Sequence, residues 1–240
     1  MLIELKTPKL LTTPYYFSAA WDGNLNAQEV SGMAPLSETL SAATPKRISE
    51  FLAGRFCALK AIQAFQPDWS GQVGMNPDGS PRWPEGLVGS ITHTQGFAAA
   101  AVAPSDTWLS VGIDSERMAD EGILAAAKDI ALRDDERRLS PHSPVSENEF
   151  ILLIFSAKES ISKCLYPLTL TKHPLEFADI ILDGIDYQGR TFDFHLSKSI
   201  KPGILKSCIA RGRFEFAYGC VHTGVELQRP VRRIKTGKCS

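Results

Sequence analysis

An α+β fold in two similar lobes is predicted by three features of the 240-residue sequence. Each half holds one long helical pattern, at 45–65 and at about 146–166. Each half also holds several strand-like segments. The halves meet near 105–110, and the chain is long enough for each to bury a core of its own. The expected organisation is an N-terminal lobe over 1–108, a C-terminal lobe over 109–228 and a basic tail over 229–240.

The elements follow in order. Residues 1–43 are irregular, with short apolar runs suited to strands. Thr44-Pro45 reads as an N-cap followed by proline at the first helical position. Ile48, Phe51, Leu52, Leu59 and Ile62 then keep helical spacing, and Pro67 ends the helix. Residues 67–89 are rich in Gly and Pro and read as a loop. Three strand candidates follow, VGSITH, FAAAAVA and WLSVGID, the first two joined by a turn at His93–Gly96. Residues 117–146 are polar and helical in part, around 121–131 and 134–139. Ser146 with Glu149 forms a capping box opening a helix that Pro167 stops. Its first half, FILLIF (150–155), is apolar nearly all round and should be buried. FADIILDGI, TFDFHL, LKSCIARGRF and EFAYGCVH read as strands.

Composition excludes several classes. Hydrophobic residues make up 43% and charged residues 22%, as in ordinary globular proteins. A formal net charge of -1 draws the chain to neither nucleic acid nor membrane. The five cysteines form no CxxC pair and are odd in number, which argues against a disulfide framework or structural zinc and fits a cytoplasmic protein. Glu4 and Lys6 interrupt the start, so no signal peptide is expected. FILLIF is too short to span a bilayer.

VGIDSE (111–116) ends a strand on two carboxylates. Asp114 and Glu116, two apart, point to the same side and repel unless a cation lies between them. A solvated strand end is the alternative, but Gly112 leaves room for a ligand to approach. FSAKESISK (155–163) places Glu159 and Lys163 on one helical face, either as a surface ion pair or lining a polar cavity. Asp114, Glu116 and Glu159 together would offer a hard cation such as Mg²⁺ three oxygen ligands. Lys158 and Lys163 could neutralise phosphate charge. Arg47 and Arg55 lie about 80° apart around their helix and ~12 Å along it, so they could address one bulky anion or simply be exposed. Thr92 and His93, at a strand end, could donate to phosphate; a lone histidine is more often structural. The basic residues from Arg229 to Lys238 read as a solvated tail in preference to a nucleic-acid arm.

GSITH, VGIDSE and FSAKESISK, in this order, resemble the signature motifs of the 4′-phosphopantetheinyl transferases, in their larger, monomeric form. EFLAGRFCALKAI and GSPRWPEGLVGSITHT are also similar to bacterial members. The resemblance runs from about Lys46 to Tyr166. It implies two lobes related by a pseudo-two-fold axis, with coenzyme A in the cleft between them. It implies transfer of the 4′-phosphopantetheine arm to a serine of an acyl or peptidyl carrier protein, releasing 3′,5′-ADP. By the same resemblance Asp114, Glu116 and Glu159 are Mg²⁺ ligands, and Glu159 is also the candidate base. Lys163 contacts phosphate with Lys158 beside it, Thr92 and His93 hold the phosphates, and Arg47 and Arg55 bind the 3′-phosphoadenosine end. One departure stands out: many relatives carry a lysine in the Gly/Pro-rich loop, where VGMNPDGSPRWP has Met75, Ser80 and Arg82. Arg133, Arg137 and Arg138 are candidate contacts for an acidic carrier, with local ion pairing to Asp134, Asp135 and Glu136 the alternative. A non-catalytic coenzyme A-binding module or a phosphohydrolase would be the competing function. The three carboxylates favour an enzyme, and the lack of a two-metal His/Asp cluster disfavours the hydrolase.

Overall fold

The computed structural model of the chain describes residues 1–12, 15–25, 30, 40, 42–169, 175–197 and 210–230. The Thr44 hydroxyl accepts from Arg47 N at 3.3 Å and Pro45 fills the first turn, so helix α1 starts where the sequence places it and runs Pro45–Phe65. The first sheet is antiparallel, in the order β1 (Leu2–Glu4), β2 (Tyr15–Trp21), β6 (Phe97–Pro104), β5 (Leu87–Thr94). The alanine-rich strand β6 lets α1 lie close across it, and Leu52, Ala53, Ala58 and Ile62 form a core there with Ala98, Ala100 and Val102. Within the predicted loop, β3 (Gly74–Met75) and β4 (Pro81–Arg82) pair as a small hairpin apart from both large sheets.

The second sheet is also antiparallel, in the order β7 (Trp108–Arg117), β11 (Cys220–Gln228), β10 (Ala210–Ala217), β9 (Thr191–Leu196), β8 (Ile180–Asp186). Helix α2 (Glu121–Ile130), capped by Asp120, and the 3₁₀ turn Arg137–His142 follow β7. Helix α3 (Glu147–Thr169) opens on the predicted box: Ser146 N donates to Glu149 Oε2 at 2.9 Å, and Glu149 N donates to Ser146 Oγ at 3.3 Å. FILLIF is buried as expected, against Phe192, Phe194, Val221 and Val225 of the second sheet.

Two boundaries differ from expectation. Pro167 lies inside α3, which continues to Thr169, whose hydroxyl donates to Tyr166 O at 3.1 Å. In the last turn proline disturbs only one remaining bond, so it bends no long helix. EFAYGCVH is a hairpin, not one strand: Tyr218 and Gly219 turn at φ 54° and 69°. Residues 205–209 of LKSCIARGRF and residues 231–240 of the tail lie outside the described residues. Arg229, the tail's first residue, is held by its N–H donating to Thr107 O at 2.9 Å. The mixed helix-and-sheet architecture expected from the sequence is present. The two sheets touch where β5 runs beside β7 and Ile113 N donates to Ser90 Oγ at 3.1 Å.

Candidate active site

Strand β7 brings Asp114 and Glu116 to one side and Ser115 to the other. Ser115 Oγ lies 2.9 Å from His222 Nδ1, and His222 Nε2 lies 3.1 Å from Ala217 O. A carbonyl only accepts, so Nε2 carries the proton and the serine hydroxyl donates to Nδ1. Burial pushes the imidazole pKa down to about 4, so the ring is neutral and locks this side of the strand.

On the other side α3 lies against β7. A Cβ at Gly112 would fall on the Ser160 carbonyl oxygen and crowd Cys164. The room expected there for a ligand is taken by the helix backbone. This approach sets Lys163 Nζ 2.6 Å from Asp114 Oδ1, to which the Thr92 hydroxyl also points at 3.4 Å. Asp114 Oδ2 is buried without a hydrogen-bond partner. Burial, then the nearby Asp114 charge, pushes the Glu116 pKa up to about 8, opposed by Lys163. Burial and Asp114 likewise raise Glu159 above the usual carboxylate range. Burial works against the charge of Lys163, but Asp114, Glu159 and Glu116 outweigh it and hold the ammonium above its ordinary pKa. Three carboxylates thus share one cation.

Across the seam, β5 splits its two candidate residues. Thr92 faces Asp114, while His93 faces α1, where Arg47 Nη1 donates to His93 Nε2 at 3.1 Å. Burial, with Arg47 and Lys163 next, pushes the His93 pKa down to about 4, so the ring accepts this bond as a neutral base. Arg55 is 7% exposed, lies over the Phe51 ring at 4.9 Å and leaves Nη1 buried without a partner. Burial lowers its pKa to about 10, still charged at neutral pH. A buried, unpartnered guanidinium nitrogen is costly unless an anion meets it.

The structure corrects the placement of Lys158. It lies five residues before Lys163, so the two point ~140° apart around the helix. Its ammonium is fully buried, donating to Glu136 Oε2 and to Ala131 O, each at 2.7 Å. It serves the core of the second half and cannot touch a bound phosphate. Arg133, Arg137 and Arg138 are tied locally. Arg133 pairs with Asp135 and donates to Ala178 O, Arg137 pairs with Asp134 at 3.4 Å, and Arg138 donates to Asp135 O.

Among the described residues, no group of three or more His, Cys, Asp or Glu side chains is arranged to hold a metal ion. The donor chemistry still suits a hard divalent cation: carboxylate oxygens only, one of them buried and unpartnered. Sequence reasoning missed a cavity of about 710 Å³ beside the site, lined by Asp78, Trp83, Ile91, Lys163 and Tyr166. Glu159, Lys163 and Tyr166 continue one helical stripe at i, i+4 and i+7, a signal that could have extended the site outward. Among the described residues, no helix is long and apolar enough to cross a membrane.

Residues 36–103 match the family model described as the 4'-phosphopantetheinyl transferase N-terminal domain, and residues 110–204 match that of the 4'-phosphopantetheinyl transferase superfamily. The chain is 37% identical over 150 residues to 4'-phosphopantetheinyl transferase Svp of Streptomyces mobaraensis, covering 59% of this chain and 57% of that protein. It is 32% identical over 212 residues to 4'-phosphopantetheinyl transferase PptT of Mycobacterium tuberculosis, covering 82% of this chain and 87% of that protein. It is 31% identical over 129 residues to enterobactin synthase component D of Salmonella typhi, covering 54% and 53%. Matched by two family models and aligned over 82% of its length with a 32% identical member, the chain belongs to the 4'-phosphopantetheinyl transferase family.

Proposed function

We propose that this protein transfers the 4′-phosphopantetheine arm of coenzyme A to a serine of an acyl or peptidyl carrier protein, yielding holo-carrier and 3′,5′-ADP. The observation that carries this reading is the seam itself. There Lys163 stands 2.6 Å from buried Asp114, with Thr92, Glu116 and Glu159 around them and His93, bonded to Arg47, within reach of their charges. The reading takes the protein as two lobes, 1–108 and 109–228, related by a pseudo-two-fold axis and acting as a monomer. In support, each large sheet carries one long helix and the seam lies between them.

In this reading Arg47 and the partnerless Arg55 take the 3′-phosphoadenosine end, and neutral His93 holds Arg47 in place. Lys163 is shared between Asp114 and the pyrophosphate. Asp114, Glu116 and Glu159 would hold Mg²⁺, which when bound neutralises pyrophosphate charge. Glu159, raised above the usual carboxylate range, is a stronger base than an exposed glutamate. It accepts the proton of the carrier serine as the serine oxygen bonds to the β-phosphorus. The bond from that phosphorus to the bridging oxygen breaks, and the fixed cations stabilise the departing 3′,5′-ADP.

The test is intact mass of an apo carrier after incubation with this protein, coenzyme A and Mg²⁺, beside samples with EDTA or the Glu159→Ala variant. A gain of one phosphopantetheine, absent from both controls, is the expected result. No gain with several different carriers would refute the reading.

A further inference from the structure

The hairpin of β3 and β4 is too short to hold itself in place. Only Gly74 with Arg82 and Met75 with Pro81 pair across it, and it joins neither large sheet. Its tip is preorganised. Gly79 turns at φ 85°, Asn76 N donates to Ser80 O at 2.9 Å, and Ser80 donates to Asp78 Oδ1 from both N (2.9 Å) and Oγ (2.6 Å). The other oxygen of the same carboxylate, Asp78 Oδ2, accepts from the Tyr166 hydroxyl at 2.6 Å. Tyr166 lies on α3, 88 residues further along the chain, three residues beyond Lys163. One carboxylate therefore fastens the hairpin tip to the helix that carries the site lysine. Between them lies the cavity of about 710 Å³, with Lys163 on its wall.

We infer that Asp78 and Tyr166 form a clamp that holds the hairpin as one wall of the coenzyme A cleft, so both are positioning residues for that substrate. The inference rests on the proposed function for the identity of the ligand. It also accounts for the loop that lacks a lysine. Here the loop contributes a fixed wall tied to α3 in place of a mobile cation. A wall set before binding spares the cost of ordering it on binding. Without the tie, a four-residue ladder and an exposed tip would leave that cost to coenzyme A.

The experiment compares Tyr166→Phe, Asp78→Ala, Asp78→Asn and the double variant Tyr166→Phe/Asp78→Ala in transfer to an apo carrier. Melting temperatures and calorimetric titration with coenzyme A run in parallel. Tyr166→Phe and Asp78→Ala each raise the KM for coenzyme A three- to tenfold, with kcat changed by less than twofold and the carrier's KM unmoved. The double variant is no worse than Asp78→Ala alone, because that variant has already lost the Tyr166 bond along with the two from Ser80. Asp78→Asn keeps an acceptor and falls nearer the wild type. An unmoved KM, or single effects that multiply in the double, overturns the clamp; so does a lowered melting temperature without a change in KM. If the wild-type chain transfers nothing yet binds coenzyme A, the proposed function fails and the titrations decide the clamp by the same pattern. No binding of coenzyme A by the wild type sinks both.

Discussion

At the scale of single residues, Glu136 carries the heaviest load outside the seam. It has no exposed surface and accepts from Lys158 Nζ at 2.7 Å, Leu182 N at 2.9 Å and Arg133 N at 3.0 Å. Burial lowers the Lys158 pKa, partly offset by its bond to Glu136, so the pair persists because each charge answers the other. Losing one partner leaves an uncompensated buried charge. Lys158→Met or Glu136→Ala should each cost about 3–5 kcal/mol of folding stability. Lys158→Met/Glu136→Gln should recover much of that, since the amide oxygen still accepts a backbone N–H and no buried charge remains. Urea unfolding of the three variants checks this, and equal loss in all three would contradict it. The pair also marks a limit of sequence reading. Lys158 and Lys163 are equally basic neighbours on paper. Only the helical angle between them, and an acid hidden in the charged run Arg133–Arg138, separates a core lysine from a site lysine.

At the scale of elements, the seam depends on how closely α3 lies on β7. Gly112 is where that closeness is set, because any side chain there meets the helix backbone at Ser160 and Cys164. Backbone cannot rotate aside, so Gly112→Ala should cost about 3 kcal/mol or more. It should also push Lys163 off Asp114, lowering transfer even at temperatures where the variant is folded. Circular dichroism with activity on the same samples separates the two effects, and a folded variant with wild-type kcat would show that the spacing is not critical. Much at this scale was legible in the sequence. Helix α1 was set by its cap and proline, the opening of α3 by Ser146 and Glu149, and β5 to β7 by apolar runs between turn residues. The hairpin at Tyr218–Gly219 was not legible, because a tyrosine at positive φ gives no turn signal of its own. The room expected for a ligand at Gly112 is filled by the α3 backbone, because a glycine in a sequence marks a close approach without saying what approaches.

At the scale of the whole molecule, the two sheets are joined by more than the seam. After β1, the chain crosses onto the second sheet. Leu10 is buried against Gly224, Lys9 N donates to Glu215, and Thr12 donates to Glu226. Such pairings over 200 residues carry no local pattern, which is why the first 43 residues read as irregular. If the protein receives an acidic carrier as proposed, the exposed cations between β7 and α3 are the candidates to meet it. Arg133 is committed to the fold through Ala178 O and Asp135. Arg137 and Arg138 are exposed, and the Arg137–Asp134 pair at 3.4 Å is of the surface kind that contributes little and exchanges readily. An acidic carrier could take over these two cations at small cost. We expect Arg137→Glu/Arg138→Glu to raise the carrier's KM about tenfold and leave that of coenzyme A unmoved, since rim charges act on encounter more than on the bound substrate. The effect should shrink as salt is added, because exposed charges are screened over about 10 Å at 0.1 M. A carrier KM that stays at the wild-type value would leave these arginines as partners of Asp134 and Asp135 alone, and would move the docking surface to another face.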